Sequence, residues 1–439
     1  MKPLAELLHD TQYQGYAYAY PHKTAYRPLP EAVPFRSLWA RERRDALFLY
    51  IHIPFCEMRC GFCNLFTQAR PKAELTRRYL ETLRVEAERV REGLQDARFA
   101  RLAIGGGTPT FLGPADLDGL FTLAEQVMGV GPGSMPISVE TSPGTADTER
   151  LTVLKARGVT RISMGVQSFT EAETSAVARP QDPAEVEGAL ERIRTVGFPT
   201  LNVDLIYGLP GQTVDSWLAS LRTALRYRPE ELYLYPLYVR PLTGLGKSRR
   251  QRDDLRLACY RAGRDLLDEA NYQQVSMRMF RAAHAPTEEG PVYCCQEDGM
   301  VGLGCGARSY TRSLHYSREF AVGAQGVREI LANYIDRPAA SFGSADYGFR
   351  LNGEEQRRRF VIQSLLQRAG LDRAAYRRRF GSESFEDLPE LTELAPLGLA
   401  SNSTDRLVLT DTGLEWSDAI GPWLYSSNVR QRMEEYECR

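Results

Sequence analysis

The sequence predicts an α/β protein built as a partial (β/α)6 barrel of parallel strands, followed by a small C-terminal helical or winged-helix-like domain. Three observations predict it. Short apolar or β-branched runs alternate with longer amphipathic ones from Ala46 onward, the pattern of successive strand–helix units. Six strand-like runs occur, and the chain changes character after about residue 350.

Residues 1–45 come first, rich in Tyr and Pro (GYAYAYPHKTAYRPLP) and without a clear period. They are expected to wrap against the main body. The core, 46–350, holds the six strands ALFLYIHI (46–53), RLAIGG (101–106), ISVET (137–141), RISMGV (161–166), LNVDLIYG (201–208) and LYLYPL (232–237). Helical patterns such as LTRRYLETLRVEAERVREGL separate them, and right-handed crossovers curl such a sheet into a barrel. Its chemistry is expected at the C-terminal ends of the strands, where each motif described below is placed. Residues 351–439 carry EEQRRRFVIQSLLQ, LDRAAYRRRFG and VLTDTGLEW, read as helices with a short hairpin. Arg357–Arg359 and Arg377–Arg379 are expected to be solvated helix faces.

Composition narrows the function classes. With 55 basic and 56 acidic residues, overall charge favours neither nucleic acid nor a membrane surface. The N-terminal residues lack the apolar stretch of a signal peptide, no run of about 18 apolar residues occurs, and the expected location is the cytoplasm. Eight cysteines, three of them crowded into eight positions, do not resemble a disulfide scaffold and read as a metal site in a reducing compartment.

That crowded set is Cys56-x3-Cys60-x2-Cys63, directly after HIPFC at the end of the first strand. Three thiolates on a four-iron cluster leave one iron open for a substrate, whereas electron-transfer clusters use four. The competing readings are a zinc site, which wants a fourth Cys or His at a second paired spacing, and merely buried thiols. Gly105-Gly106-Gly107-Thr108-Pro109-Thr110 follows the second strand, where backbone without side chains can approach a ligand; a flexible turn is the alternative. Glu140 ends the third strand in SVETSP, either as a ligand contact or as a carboxylate facing water.

With these residues in view, YIHIPF followed by C-x3-C-x2-C, together with RISMGVQSF and NVDLIYGLPGQT, resembles the radical S-adenosylmethionine (SAM) superfamily. The likeness is to the branch of the oxygen-independent coproporphyrinogen III oxidase and its heme-chaperone relatives, and it runs over most of residues 46–320. The fold so implied is a radical SAM barrel. The resemblance implies a [4Fe-4S] cluster on Cys56, Cys60 and Cys63 that splits SAM into methionine and a 5′-deoxyadenosyl radical, which removes a hydrogen atom from substrate. It also implies that Tyr50, Gly106, Glu140 and Arg308 contact the cluster-bound SAM. Phe62, Gly107, Thr108, Gln167, Arg179, Asp204 and Tyr238 match a second SAM site described for the oxidase. The chain departs from that pattern at Leu65, where the oxidase has a further Cys, and at Tyr238 and Arg308.

The segment VYCCQEDGMVGLGCGARSYT resembles the family's Gly-rich closing stretch. Cys294, Cys295 and Cys305 there, like Cys259 and Cys438, have no standard metal spacing and are expected to be inert, as are His22, His52, His284 and His315. Three outcomes compete within the branch: decarboxylation of coproporphyrinogen III, heme carriage by a chaperone with a regulatory cluster, and methylation or cyclopropanation of an aromatic substrate with two SAM molecules. SMRMF (276–280) lacks the acid and His expected of the oxidase, and the N-terminal extension is longer than the chaperone's. The reading is an oxidase-like radical SAM enzyme for a porphyrin-type or aromatic substrate, served by an electron donor of flavodoxin or ferredoxin type. An electron-transfer or structural iron–sulfur protein is the alternative of a different class.

Overall fold

The structure is a computed structural model describing residues 3–17, 19–131, 133, 135–247, 254–287 and 299–437. Cys294, Cys295 and Cys438 lie outside the described residues. In chain order the main sheet comprises β1 (Arg27–Pro34), β2 (Leu47–Ile53), β3 (Phe99–Gly106), β4 (Ile137–Thr141), β5 (Arg161–Gln167), β6 (Thr200–Tyr207), β7 (Glu231–Pro236), β8 (Tyr272–Gln274), β9 (Met279–Ala282), β10 (Met300–Leu303), β11 (Arg308–Tyr310), β12 (Leu314–Ser317) and β13 (Ser344–Arg350). They lie side by side in the order β1-β13-β12-β11-β10-β2-β3-β4-β5-β6-β7-β9-β8.

Strands β2 to β7 are consecutive parallel neighbours, and they are the six expected strands to within a residue or two at each end. Their sequence explains why. In β2, Leu47, Leu49, Ile51 and Ile53 point to the helix layer and join the main core, while Phe48 and Tyr50 point inward to Met300, Tyr310 and Ala103. A strand buried on both faces reads as a continuous apolar run. The first crossover helix, α1 (Ala73–Leu94), packs Tyr79, Leu83, Ala87, Val90 and Leu94 against the sheet, the spacing of a core-facing helical stripe. Its buried Glu86 accepts from Gly304 N at 2.6 Å and Tyr334 Oη at 2.8 Å, which ties the closing segment to the helix.

Beyond the six strands, β10 pairs parallel with the free side of β2. The remaining strands extend the sheet antiparallel at both ends, so the barrel is partial. The N-terminal strand β1 contains Pro28, Pro30 and Pro34 and sits at the sheet's edge, the place where missing N–H donors are tolerated.

A second core gathers Val361, Ile362, Leu365, Tyr376, Leu407 and Leu409 from the C-terminal residues with Leu4, Tyr20 and Tyr26 from the N-terminal segment. It includes α2 (Gly353–Leu365), α3 (Arg373–Phe380) and a three-stranded antiparallel sheet made of Leu371–Asp372, Arg406–Leu409 and Ala400–Asn402. Here one expectation fails. Arg358 and Arg359 are not on a solvated face: Arg358 is paired with Glu390 at 2.7 Å and Glu354 at 2.8 Å, and Arg359 donates to the Tyr20 carbonyl at 3.0 Å. Arg359 is buried where the N-terminal segment reaches α2, Arg358 where the C-terminal unit packs on it and Leu424 O accepts from it at 2.9 Å, and each has partners for its charge. Arg377, in contrast, is exposed and pairs with Glu383.

The N-terminal segment, the barrel and the C-terminal unit meet at one buried ion pair, Arg278 with Asp418, whose side chains are 4% and 2% exposed. Tyr238 Oη donates to the same carboxylate, the Asp418 carbonyl accepts from Gly15 N at 3.0 Å, and the Arg278 guanidinium lies 3.7 Å from the centre of the Tyr16 ring. Removing one partner strands a buried charge, at a cost of about 3–5 kcal/mol. Asp418→Ala is therefore expected to destabilise the protein by that amount in denaturant unfolding, and Arg278→Met combined with Asp418→Ala by less than the sum of the two single changes. Additive losses would show that the pair is not coupled.

Candidate active site

The barrel mouth is assembled by continuing one pairing past its strands. β2 and β3 run in register to Ile53 opposite Gly106, after which Gly107 N donates to Ile53 O at 2.8 Å and Thr108 N to Phe55 O at 2.7 Å. The glycine turn and the start of the cysteine loop are thus zipped together. Gly106 has φ +115°, a conformation open to glycine, and a Cβ there would fall 2.5 Å from the His52 ring. A Cβ on Gly107 would fall 2.5 Å from Phe55 O and 2.9 Å from Cys56 Sγ. Glycine at both positions is what lets the two backbones close.

Cys56, Cys60 and Cys63 are half-buried on this loop. Pro54 O accepts from Gln68 N at 2.6 Å, Cys56 O from Arg70 N at 2.8 Å and Gly61 O from Leu245 N at 2.8 Å, while Gly61 N donates to Val177 O at 2.7 Å. Each sulfur has a side-chain contact: Thr108 Oγ1 lies 3.7 Å from Cys56 Sγ, Arg179 Nη1 3.2 Å from Cys60 Sγ and Thr67 Oγ1 3.9 Å from Cys63 Sγ. Burial pushes the Cys56 thiol up to about 12, and that of Cys63 upward too. A metal overrides such a shift by coordinating the deprotonated sulfur. Among the described residues no three His, Cys, Asp or Glu side chains are gathered as a single ion would require. Three thiols on one loop, each with a hydroxyl or guanidinium contact, and a glycine that lets the second strand's turn close against Cys56 fit a larger, thiolate-held group.

Around this loop the structure brings together most of the other sequence-selected residues. Glu140 accepts from Gly106 N at 3.0 Å, and burial raises its carboxyl to about 7. Gln167 ends β5 at φ +71°, with its amide nitrogen over Gly165. Arg179 donates to Gly165 O at 2.6 Å. Phe62 packs on Val177, Ile206, Leu209, Leu237 and Leu245. Asp204 lies mid-strand on β6, bonded to Asn202 Nδ2 at 2.8 Å and raised to about 6 chiefly by burial. Tyr50 is likewise mid-strand, with its hydroxyl 3.2 Å from His52 Nδ1, and Arg308 opens β11, its guanidinium 5.9 Å from the centre of the Tyr310 ring. These three correct the expectation that every site residue falls at the C-terminal end of a strand: alternation of inward side chains lets residues elsewhere along the strands face the same interior. Tyr238 is drawn away to Asp418.

Sequence reasoning passed over His52, Gln181 and a hydroxyl chain. His52 is buried, its pKa lowered to about 4 chiefly by desolvation, and its ring fills the space left by Gly106 and Gly306. Period-two alternation with Tyr50 was the available signal. Gln181 holds Val166 O at 2.7 Å and Ser168 O at 2.9 Å. Thr110, Thr141, Thr145 and Ser142 form a chain of hydroxyl contacts of 2.6–2.9 Å that joins the glycine turn to the end of β4. Cys259 and Cys305 are fully buried in the main core.

Comparison with known proteins agrees with this geometry. Residues 50–224 match the radical SAM superfamily and residues 351–416 the HemN C-terminal domain. The heme chaperone HemW of Escherichia coli is 32% identical over 273 residues, covering 60% of this chain and 69% of that one. The oxygen-independent coproporphyrinogen III oxidase of Salmonella typhimurium is 29% identical over 433 residues, 93% of this chain and 92% of that one. The solved structure of coproporphyrinogen III oxidase (HemN) from Escherichia coli superposes with a TM-score of 0.75 at 24% identity, covering 99% of both chains, and shares the fold. A cysteine loop zipped to a glycine turn at the mouth of a partial parallel barrel, with these matches across both units, places the chain in the radical SAM superfamily, in the branch that contains HemN and HemW.

Proposed function

We propose that Cys56, Cys60 and Cys63 carry the [4Fe-4S] cluster that the family implies, and that Tyr50, Gly106, Glu140 and Arg308 hold one SAM molecule beside it. The observation that carries this reading is the closure of Gly106–Thr108 onto the Cys56 loop, which sets a turn free of side chains, and the Glu140 carboxylate bonded to it, beside three thiols. Held by these three cysteines, such a cluster would supply one-electron reductive cleavage of the SAM C–S bond to methionine and a 5′-deoxyadenosyl radical.

The chain's own residues do the holding. Glu140, solvent-accessible at the end of β4, offers an acceptor to an ammonium group, and the turn at Gly105–Gly107 lets backbone approach a carboxylate. Of the residues matched to a second SAM, Tyr238 is committed to Asp418 and Arg179 to Cys60 and Gly165, which favours a single SAM. Phe62, Gly107, Thr108, Gln167 and Asp204 then shape the wall on which substrate rests. The substrate class is taken from the relatives: a porphyrin-type molecule, with an electron donor of flavodoxin or ferredoxin type and a reducing, cytoplasmic setting for the thiolates. Among the described residues no helix is long and apolar enough to cross a membrane. Likeness to the heme chaperone supports a second reading, heme carriage with slow SAM cleavage.

Two measurements test this. Anaerobically reconstituted and reduced protein is expected to form 5′-deoxyadenosine and methionine from SAM, and the Cys56→Ala, Cys60→Ala, Cys63→Ala variant is not. Absence of product from wild type with an intact cluster would transfer the case to heme carriage, read by heme titration. The second measurement follows the raised Glu140. Because its folded pKa of about 7 lies above the ordinary 4.5, its neutral form stabilises the empty fold below pH 4.5, and that contribution is lost as pH rises through 7. An ammonium group favours the carboxylate, so SAM binding near pH 6 is expected to release close to one proton from the cluster-loaded protein. Calorimetry in buffers of different ionisation enthalpy reads that release. Equal release by wild type and Glu140→Gln would remove Glu140 from the site.

A further inference from the structure

We propose that Arg179 is a potential-setting residue: its guanidinium donates to the Cys60 sulfur and stabilises the extra negative charge that arrives there on reduction. This rests on the reading that the three cysteines hold an iron–sulfur cluster, and it assigns Arg179 a role other than contact with a second SAM.

The guanidinium is fixed on three sides. Nη2 donates to Gly165 O at 2.6 Å, Nε to Gln181 Oε1 at 3.2 Å, and Nη1 points at Cys60 Sγ at 3.2 Å. Gln181 is itself clamped by two β5-end carbonyls, Val166 and Ser168. The backbone is equally constrained: Arg179 N donates to Thr174 O at 2.9 Å, and Ala178 before it sits at φ +52°. Gly61 N donates to Val177 O at 2.7 Å, and a Cβ on Gly61 would fall 2.9 Å from that oxygen. The cysteine loop and the arginine-bearing loop therefore behave as one unit, and the donor stays in register with its sulfur.

Among the described residues, Arg179 is the charged side chain that donates to one of the three sulfurs; Thr108 contributes a neutral hydroxyl to Cys56. Arg59 is the other nearby cation, and its guanidinium is committed to the Val322 carbonyl. One-electron reduction adds one negative charge to a group already carrying thiolate charge, with no bond made and no proton taken up. A fixed cation and an N–H···S hydrogen bond stabilise the more negative state, so they raise the potential. In this superfamily's chemistry the electron comes from a low-potential donor, and the ease of loading it is what Arg179 adjusts.

The test is a redox titration of the reconstituted full chain without SAM, followed by electron paramagnetic resonance of the reduced cluster, beside iron and sulfide analysis. Arg179→Met is expected to make reduction about tenfold less favourable, a fall of about 59 mV for a one-electron couple. Arg179→Lys, which keeps the charge and loses the fork, is expected to fall by less than half of that. A midpoint for Arg179→Met within about 28 mV of wild type, a threefold change in the reduction equilibrium, with four irons retained, overturns the proposal. A weakened SAM affinity with unchanged potential would overturn it in favour of the nucleotide role. Failure of the underlying cluster reading is distinct, since it shows as wild type lacking iron and sulfide. Should Arg179→Met lose its iron, Arg179→Gln carries the same comparison with a neutral donor in place.

Discussion

The active end of this protein depends on the parallel pairing of β2 with β3 and on its extension by two further hydrogen bonds into loop. While Ile53 stays opposite Gly106 and Phe55 O accepts from Thr108 N at 2.7 Å, the cysteines and the glycine turn are held in one frame. The sterics leave little latitude, because a side chain at Gly106 meets the His52 ring and one at Gly107 meets Phe55 O and Cys56 Sγ. A sheet whose other strands only have to pack thus has one pair that must also end at the right residue, since slippage by one residue would turn Tyr50 and His52 out of the interior.

The interior supports that mouth with charge rather than with a dry core. Glu231 pairs with Arg161 at 2.7 Å and Arg281 at 3.1 Å, Arg161 also donates to Ser138 at 3.1 Å, and Asn202 bridges Ser163 and Asp204. These pairings satisfy ions that would otherwise be costly to bury. Glu140 and Asp204 are left with raised carboxyls further along the barrel, a pattern associated with functional sites. The N-terminal and C-terminal residues share a second core and meet the barrel at Arg278 and Asp418. The far end of the mouth is thereby set by contacts distant in sequence from the cysteines.

Legibility from sequence followed the range of the interactions. The six parallel strands were readable because burial on both faces leaves an unbroken apolar signature in segments such as LFLYIHI, and the cysteine spacing was readable because three ligands came from one loop. Strand β10 was not, since it is only four residues long and Gly302 interrupts its apolar run, and β1 was hidden by its prolines. Arg358 and Arg359 read as solvent-facing because nothing local shows that Glu390 and Leu424 will take the first and Tyr20, more than 300 residues earlier, the second. The same holds for Tyr238: its matched position pointed to a ligand, whereas its hydroxyl is taken by Asp418, 180 residues away. Arg179 was selected for a family position, and its approach to Cys60 came into view only with the loop that carries Gly61 against Val177.

If Cys56, Cys60 and Cys63 hold a four-iron cluster as proposed, their three thiolates leave one iron open to SAM. Electron paramagnetic resonance of the reconstituted, reduced protein before and after SAM addition tests it most directly. The expected result is a four-iron signal whose g-values change when SAM is added. A signal unaltered by SAM that demonstrably binds, or a cluster that persists after all three of Cys56, Cys60 and Cys63 are replaced, would contradict it.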